Sequence, residues 1–326
     1  MAYSQQTITA ITDIPALAAA FAVANGWTVD SSTPAQPVFT LPTADTLGTW
    51  RLSASISGYD HTLTWTTVSS SVPTSTANTT SPKLAPTSGT NPVVPTPTKL
   101  HMFISPAPAA NPYLAIVIEY NTNLFRHLYL GRMERLGDYS NGEIVSGMTG
   151  PMTSYSVNVG YQDYNRVQYL FQSRSAARAN TACGGVRVTH ADNANEWRKF
   201  LGYNTGTVTS LPANCVLGGY GDAVNDGYVA RGEVPYAGVN ALVSINLYNA
   251  KPITSEMSLI PIGRPPGIRH VNMRNLGPGD SINVGGVQWR VFPAMAKSSE
   301  TAMPPGLGNW RSYETSYYNG YAYREN

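Results

Sequence analysis

The residues best suited to acid–base or metal chemistry are five histidines spread along the 326-residue chain, namely His61, His101, His127, His190 and His270. None lies in a His-Glu-x-x-His frame, and no Gly-x-Ser-x-Gly elbow or cysteine in a recognised catalytic context accompanies them. His127 lies beside Arg126 in an apolar run, where a neutral, hydrogen-bonded imidazole is the ordinary outcome. We therefore expect no catalytic residue and no enzymatic activity. A glycosidase carboxylate pair stays open, because its members can lie far apart in the chain.

One short segment carries ligand types that suit a metal ion. His190, Asp192 and Glu196 could supply one nitrogen and two carboxylates. The same segment also suits a short helix start, in which Asn193 and Glu196 form a capping pair. Gly218-Gly-Tyr-Gly221 matches neither phosphate-binding fingerprint. We expect no metal and no cofactor, and we expect a helix between residues 190 and 202.

The composition excludes several classes of protein. Charged residues make up 12% of the chain, about half the usual share of about 25%, while hydrophobic residues make up 42%. A net charge of +2 is too small for an electrostatic grip on nucleic acid, so no specific nucleic-acid partner is expected. The start of the chain lacks the pattern of a signal peptide, and no apolar run approaches the roughly 18 residues that span a membrane. Cys183 and Cys215 could be free or bonded.

The elements that must position any site are mainly strands. With 29 Gly and 24 Pro, the chain turns often. One helix is indicated, beginning at Thr12 or Asp13 and ending at Gly26, with Ile14, Leu17, Ala18 and Phe21 on its buried face. Residues 113–120 and 124–130 predict a hairpin at the centre of a sheet. We expect a mainly β fold with short helices: an N-terminal helix-plus-sheet module, then an antiparallel β-sandwich-like domain.

Three regions are predicted. Residues 1–68 form the α+β module, residues 69–99 form a Ser/Thr/Pro-rich segment, and residues 100–326 form the mainly β domain with a Tyr-rich extension. The middle segment is either a flexible linker or an extended arm ordered against a neighbouring subunit. Three apolar residues favour the arm, since a spacer does not need them: Leu84, Val93 and Val94.

The C-terminal region combines a hairpin with an unusual density of aromatic residues. Gly285-Gly286 predicts a two-residue turn between two short β-rich runs. The following extension contains the candidate interface residues Trp310, Tyr313, Tyr317, Tyr318, Tyr321, Tyr323 and Arg324. Aromatic clusters with arginine are favoured at protein interfaces. Packing on the chain's own sheet and a sugar-binding platform are the alternatives.

Three stretches together resemble structural proteins of tailed bacteriophages. They are Asp13-Ile-Pro-Ala-Leu through Gly26-Trp-Thr-Val-Asp30, Pro112-Tyr-Leu-Ala-Ile-Val-Ile-Glu-Tyr120 with Arg126-His-Leu-Tyr-Leu-Gly-Arg-Met-Glu134, and Val287-Gln-Trp-Arg-Val-Phe-Pro293 with Tyr321-Ala-Tyr-Arg324. The likeness extends over the chain except residues 69–99, and it brings no catalytic residue with it.

The resemblance implies a virion protein present in many copies. Its expected partners are itself, in a homo-oligomeric ring, and other phage tail, neck or baseplate proteins. Rings of this kind close through head-to-tail contacts. A baseplate component, a receptor- or glycan-binding module and a capsid-associated decoration protein are the alternative roles.

Overall fold

The structure is a computed structural model. It describes residues 1–42, 49–58, 60–68, 76–80, 94–121, 123–136, 144–148, 150–151, 167–168, 185–190, 193–201, 216–218, 242–245, 247–253, 256–273, 275–294 and 319–326.

The described residues form strands, a 3-10 turn at Ile11–Asp13 and the helix α1 (Ile14–Ala24). The strands in chain order are β1 (Ala2–Thr7), β2 (Thr28–Asp30), β3 (Val38–Thr40), β4 (Thr49–Ser57), β5 (Asp60–Thr67), β6 (Thr76–Thr80), β7 (Pro97–Ile104), β8 (Tyr113–Tyr120), β9 (Phe125–Arg132), β10 (Glu134–Arg135), β11 (Ile144–Met148), β12 (Gly150–Pro151), β13 (Val167–Gln168), β14 (Gly185–His190), β15 (Asn193–Leu201), β16 (Val216–Gly218), β17 (Leu242–Ser244), β18 (Leu247–Ile253), β19 (Glu256–Arg264), β20 (Ile268–Asn272), β21 (Ser281–Val284), β22 (Val287–Pro293) and β23 (Asn319–Arg324).

These strands form sheets that are almost wholly antiparallel, which confirms the predicted mainly β class. The N-terminal sheet has the order β2-β3-β4-β5-β6, and the C-terminal sheet has the order β17-β20-β23-β22-β21. The long central sheet runs β1-β7-β8-β9-β11-β14-β15-β16-β18-β19-β10, and only β15 and β16 pair in parallel within it. β12 and β13 form a separate pair.

Helix α1 follows the sequence prediction closely. It ends before Gly26, which adopts a φ of +83°, a conformation that glycine reaches without steric cost. Ile14 and Ala18 are fully buried, while Leu17 and Phe21 lie at the half-buried margin of the same face. Asp13 occupies the N-cap position, but its side chain makes no capping hydrogen bond. Packing of the apolar face therefore does more for this helix than its cap.

Strands β7, β8 and β9 are covered on both faces, and their sequences are therefore nearly continuous runs of apolar residues. Alternate residues point to opposite sides of a strand. On one side, Leu100, Ile116 and Leu128 join a cluster with α1 and the N-terminal sheet. On the other side, Phe103 and Tyr129 join a cluster with the C-terminal sheet. The central strands are therefore the middle layer of a three-layer stack.

The core crosses the boundary that the sequence places at residue 68. β1 pairs with β7 along its whole length, from Ala2 opposite Ile104 to Thr7 opposite Lys99. Trp50 and Trp65 of the N-terminal sheet share one apolar cluster with residues of β7 to β9. Residues 76–80, inside the predicted linker or arm, form β6 at the edge of the N-terminal sheet. The three predicted regions stay a prediction, but their first and third members share a core.

The helix predicted between residues 190 and 202 is wrong. This segment is strand β15, which pairs antiparallel with β14 from Asn193 opposite His190 to Lys199 opposite Gly185. The apolar spacing fits a helix, but pairing with a neighbouring strand overrides local preference. Asp and Asn also favour turns between strands, so they do not identify a helix start by themselves.

Candidate functional site: the histidine–aromatic layer and the sheet edges

The C-terminal sheet packs on β7 to β9 through a layer of rings and imidazoles. Phe292 of β22 lies 4.6 Å from His101 and 6.1 Å from Phe103, measured between ring centroids. Tyr323 of β23 stacks on Phe103 at 4.9 Å. These residues share a face because alternate positions of each strand point into the same interface. The layer, named here the histidine–aromatic layer, brings His101, His127 and His270 into contact with aromatic rings.

His127 lies at the centre of this layer with both ring nitrogens engaged. Its Nε2 is 2.8 Å from the carbonyl oxygen of Pro293, and its Nδ1 is 2.7 Å from the hydroxyl of Tyr323. A carbonyl only accepts, so Nε2 carries the proton and Nδ1 accepts from the Tyr323 hydroxyl. The imidazole is therefore held in one neutral tautomer.

Burial makes this neutral state stable. It lowers the pKa of His127 to about 3, against the opposing effect of the Pro293 carbonyl, and nearby Arg126 lowers it further. A general base needs a pKa near the working pH and a free nitrogen. His127 has neither, which agrees with the expectation from sequence that this imidazole is a structural group.

His270 and His101 belong to the same layer. His270 of β20 is buried 5.3 Å from the ring of Tyr321, and burial lowers its pKa to about 3. Burial also lowers the pKa of His101, although the hydrogen bond to Glu119 acts in the opposite direction. Three of the five histidines are thus used between the two sheets in uncharged form.

At the rim of the layer a hydroxyl, an imidazole and a carboxylate stand in series. The Tyr3 hydroxyl is 2.9 Å from His101 Nδ1, and His101 Nε2 is 3.4 Å from Glu119 Oε2. Lys99 Nζ donates to Glu119 Oε1 at 3.1 Å. The hydrogen bond from His101 is the main reason that the pKa of Glu119 is lowered, and Lys99 contributes further.

This series has the order of a nucleophile, a base and an orienting acid, but its electrostatics are wrong for catalysis. An activated nucleophile has a depressed pKa. Burial instead raises the pKa of Tyr3, and its ring stacks on Phe103 at 4.9 Å. The group fastens β1 to the sheet.

A second polar group joins β22, the end of β23 and β1. Arg290 donates from Nη2 and Nε to Glu325 Oε1 at 2.6 and 2.9 Å, and from Nη1 to the Gly279 carbonyl at 2.7 Å. Its guanidinium also lies 4.5 Å from the centroid of the Tyr3 ring, a cation–π geometry. The C-terminal sheet is therefore fixed over the outermost strand of the central sheet.

The candidate interface residues differ in burial and in whether the structure describes them. Tyr321 and Tyr323 have no exposed surface, because β23 lies at the centre of the C-terminal sheet and turns these rings into the histidine–aromatic layer. A surface role for these two side chains is therefore wrong. Arg324 and Val94 are half-buried. The other candidates lie outside the described residues: Leu84, Val93, Trp310, Tyr313, Tyr317 and Tyr318.

The metal candidate stays a sequence hypothesis. His190 and Glu196 lie on β14 and β15, whose backbones alone are described, and Asp192 lies outside the described residues, as do Cys183 and Cys215. Within the described ranges no three His, Cys, Asp or Glu side chains are grouped to hold a metal ion. No helix in that part of the chain is long and apolar enough to cross a membrane.

The two ends of the central sheet differ in charge. β10, at one end, consists of Glu134 and Arg135, and Glu134 forms a two-pronged ion pair with Arg264 of β19 at 2.6 and 2.7 Å. β1, at the other end, carries no charged side chain and no proline. Charges and prolines on edge strands discourage pairing with other chains. The β1 edge lacks that protection.

The C-terminal sheet also ends in an uncharged strand on the β1 side. Arg290 of β22 lies over Tyr3 of β1, and β21 follows β22 outward. β21 has the sequence Ser-Ile-Asn-Val, and Val284 at its end is 43% exposed. Two uncharged edge strands in stacked sheets thus lie on one side of the molecule.

Comparison with protein-family models finds no match, and no curated protein sequence is similar to this chain.

The sequence does not predict the contact between His101 and Glu119 at the rim of the layer. His101 and Glu119 meet because β7 and β8 pair with Lys99 opposite Glu119, a register that the spacing in the chain does not reveal. A signal for it was present in the alternation along β7. Leu100, Met102 and Ile104 are aliphatic, whereas the intervening His101 and Phe103 are polar or aromatic. This alternation indicates two covered faces, one of them polar and aromatic.

Proposed function

We propose that this chain is a non-enzymatic structural subunit of a tailed-bacteriophage particle. It assembles with copies of itself into a homo-oligomeric ring in the tail or neck region. Its function lies in protein–protein contacts, and its partners are itself and neighbouring virion proteins. The baseplate is the alternative position for the same role.

The observation that carries this proposal is the pair of uncharged strands β1 and β21 on one side of the stack, each of which pairs on one edge only within the described part of the chain. An edge strand presents a row of backbone N–H and C=O groups that another strand can pair with. Monomeric β proteins protect such rows with charges, prolines or bulges. A subunit that must join other chains has a reason to leave them open.

The use of the histidines gives further support. Buried, hydrogen-bonded and uncharged, His127 contributes to packing between sheets and is unsuited to proton transfer. The sequence likeness to tailed-phage structural proteins points in the same direction, and it is the source of the phage assignment.

A receptor- or glycan-binding role has less support in the described part of the chain. Sugar recognition uses exposed aromatic faces. Among the aromatic side chains whose positions the structure gives, none is exposed. A glycan array on the purified protein separates the two roles, and specific binding there would favour the second.

The proposal is tested on the purified protein and on the particle. Light scattering and negative-stain electron microscopy of the purified chain should reveal discrete multimers with cyclic symmetry. Particles made without the chain should lack a complete tail. A chain that stays monomeric, together with infectious particles assembled without it, would overturn the proposal.

A further inference from the structure

The β1 edge is the place where the chain's outward backbone groups can be assigned residue by residue. Ile8 N donates to the Thr98 carbonyl at 3.1 Å, and Ile8 continues the register in which Thr7 lies opposite Lys99. Hydrogen-bonded pairs alternate along an antiparallel ladder. The even-numbered residues of β1 therefore bond to β7, and the N–H and C=O groups of Tyr3, Gln5 and Thr7 point outward.

We infer that a second copy of this chain pairs with this edge, β1 against β1, around a two-fold axis at Gln5. This inference goes beyond the proposed function, because a two-fold contact is isologous and differs from the head-to-tail contact that closes a ring. Such a contact joins copies of the chain in pairs, and in an assembly it joins two rings back to back. The inference names the contact surface and the partner.

The register follows from the outward groups. In an antiparallel pair centred on Gln5, Gln5 lies opposite its own copy and Tyr3 lies opposite Thr7 of the partner. All three outward residues of each strand then exchange hydrogen bonds. A register centred on Ser4 would pair Tyr3 with Gln5 and leave Thr7 beyond the end of the strand.

Charge and side-chain chemistry favour a copy of the same strand as the occupant. β1 reads Ala-Tyr-Ser-Gln-Gln-Thr, so no like charges meet when it faces itself. Like charges directly opposite one another destabilise a strand pair, and β1 carries no charge on any residue. The Gln5 amide oxygen accepts from the Tyr3 hydroxyl of its own strand at 3.1 Å. The two amide N–H donors and the second lone pair of that oxygen are left to bond to the partner's Gln5.

Strand β1 is also fixed in position by side-chain contacts within its own chain. The Tyr3 hydroxyl bonds to His101 and the Tyr3 ring lies under Arg290, which is itself bound to Glu325. These contacts fix β1 on the sheet before any partner arrives. A pre-ordered surface loses less conformational entropy on association.

The test uses four variants of the full chain, all at Gln5, which is exposed. Gln5→Pro removes the central outward N–H, at an edge position where proline does not interrupt the β7 ladder. Gln5→Lys and Gln5→Glu place like charges opposite one another in the pair. Gln5→Thr is the matched control, since it keeps the backbone donor and adds no charge.

Dissociation constants are measured by analytical ultracentrifugation over a dilution series, with circular dichroism to confirm folding. We expect Gln5→Thr to associate like the wild type, and Gln5→Pro and Gln5→Lys to associate at least about tenfold more weakly. An equimolar mixture of the Gln5→Lys and Gln5→Glu chains should regain the wild-type affinity, because opposite charges then face each other.

The outcomes separate this inference from the proposed function. If the wild type forms multimers and Gln5→Pro and Gln5→Lys form them equally well, the β1 pairing is wrong while a homo-oligomeric role stands. If Gln5→Lys dissociates and the mixture does not recover, β1 meets a different surface and the two-fold pairing is wrong. A wild-type chain that is monomeric at every concentration contradicts both.

Discussion

The two faces of β7 to β9 are both buried, but they are covered by different kinds of side chain. The face toward α1 and the N-terminal sheet is aliphatic, with Leu100, Ile116 and Leu128 among its members. The face toward the C-terminal sheet carries His127 and stacked aromatic rings. Apolar surface is buried on both sides, and the second side adds an imidazole whose two ring nitrogens are both hydrogen-bonded.

The difference bears on how precisely each neighbouring layer is positioned. Aliphatic side chains tolerate small shifts, because dispersion contacts are non-directional and volume-conserving changes cost little. A buried imidazole with two partners fixes a register, since a displaced strand would leave polar groups without hydrogen bonds. The histidine–aromatic layer therefore sets where the C-terminal sheet lies over β1, and with it the relation between the β1 and β21 edges.

The largest effect is expected from removing apolar volume on either face. Phe292→Ala should lower the free energy of unfolding by about 3–5 kcal/mol, since Phe292 is fully buried between the sheets. Ile116→Ala on the opposite face should cost about 2–5 kcal/mol. Urea denaturation of both variants measures the difference. A cost below about 1 kcal/mol for Phe292→Ala would mean that the C-terminal sheet does not pack on β7 to β9 as described.

A chemical change at adjacent residues sharpens the contrast between the faces. His127→Phe keeps the ring but leaves the Pro293 carbonyl without its donor and the Tyr323 hydroxyl without its acceptor. The expected cost is about 2–4 kcal/mol, because both groups are buried. Leu128→Met, one residue further and on the aliphatic face, should cost less than about 1.5 kcal/mol.

Equal costs for these two variants in chemical denaturation would contradict the role of the two His127 hydrogen bonds in holding the C-terminal sheet. A further check is Tyr323→Phe in the His127→Phe background. The second substitution should change the free energy of unfolding little further, since the hydrogen bond that it would remove is already lost.

Acid should act through the histidine–aromatic layer before it acts on the carboxylates. The pKa values of His127 and His270 are about 3 in the folded chain, below the value of about 6.5 expected when unfolded. The unfolded chain therefore takes up protons first, and stability present above pH 6.5 is lost as the pH falls toward 3. Each histidine should destabilise the fold by about 2 kcal/mol at pH 5 relative to pH 7.

The carboxylates contribute at lower pH. The pKa of Glu119 is lowered chiefly by its hydrogen bond to His101 and that of Glu134 chiefly by its bond to Arg264, so their contributions are lost below the ordinary range near 4.3. Urea midpoints between pH 7 and pH 5 thus report on the histidines. The His127→Phe variant should lose less stability than the wild type over this interval. Identical losses would show that His127 does not remain neutral in the fold.

Sequence patterns predicted the elements more successfully than their contacts. Helix α1, the β8–β9 hairpin and the Gly285-Gly286 turn are all present, because each depends on local signals such as a glycine stop or a two-residue turn. The prediction that Tyr321 and Tyr323 lie at an interface with other chains was wrong. Whether a tyrosine faces a partner or the chain's own core depends on which strands flank β23. Both neighbours, β20 and β22, are separated from β23 by more than twenty residues of sequence.

The smallest effect is expected at the turn that links the edge strand β21 to its neighbour β22 in the C-terminal sheet. Gly285 and Gly286 adopt φ angles of +60° and +81°, and Val284 lies opposite Val287, which is the geometry of a type I′ turn. Gly286→Val should cost about 1–2 kcal/mol, because a β-branched residue disfavours positive φ. Gly285→Asn is the matched control and should be nearly neutral, since asparagine suits the first central position. Thermal unfolding distinguishes them. If both variants melt with the wild type, the turn does not hold β21 in place, and the β21 edge would then be independent of the ordered layer beneath it.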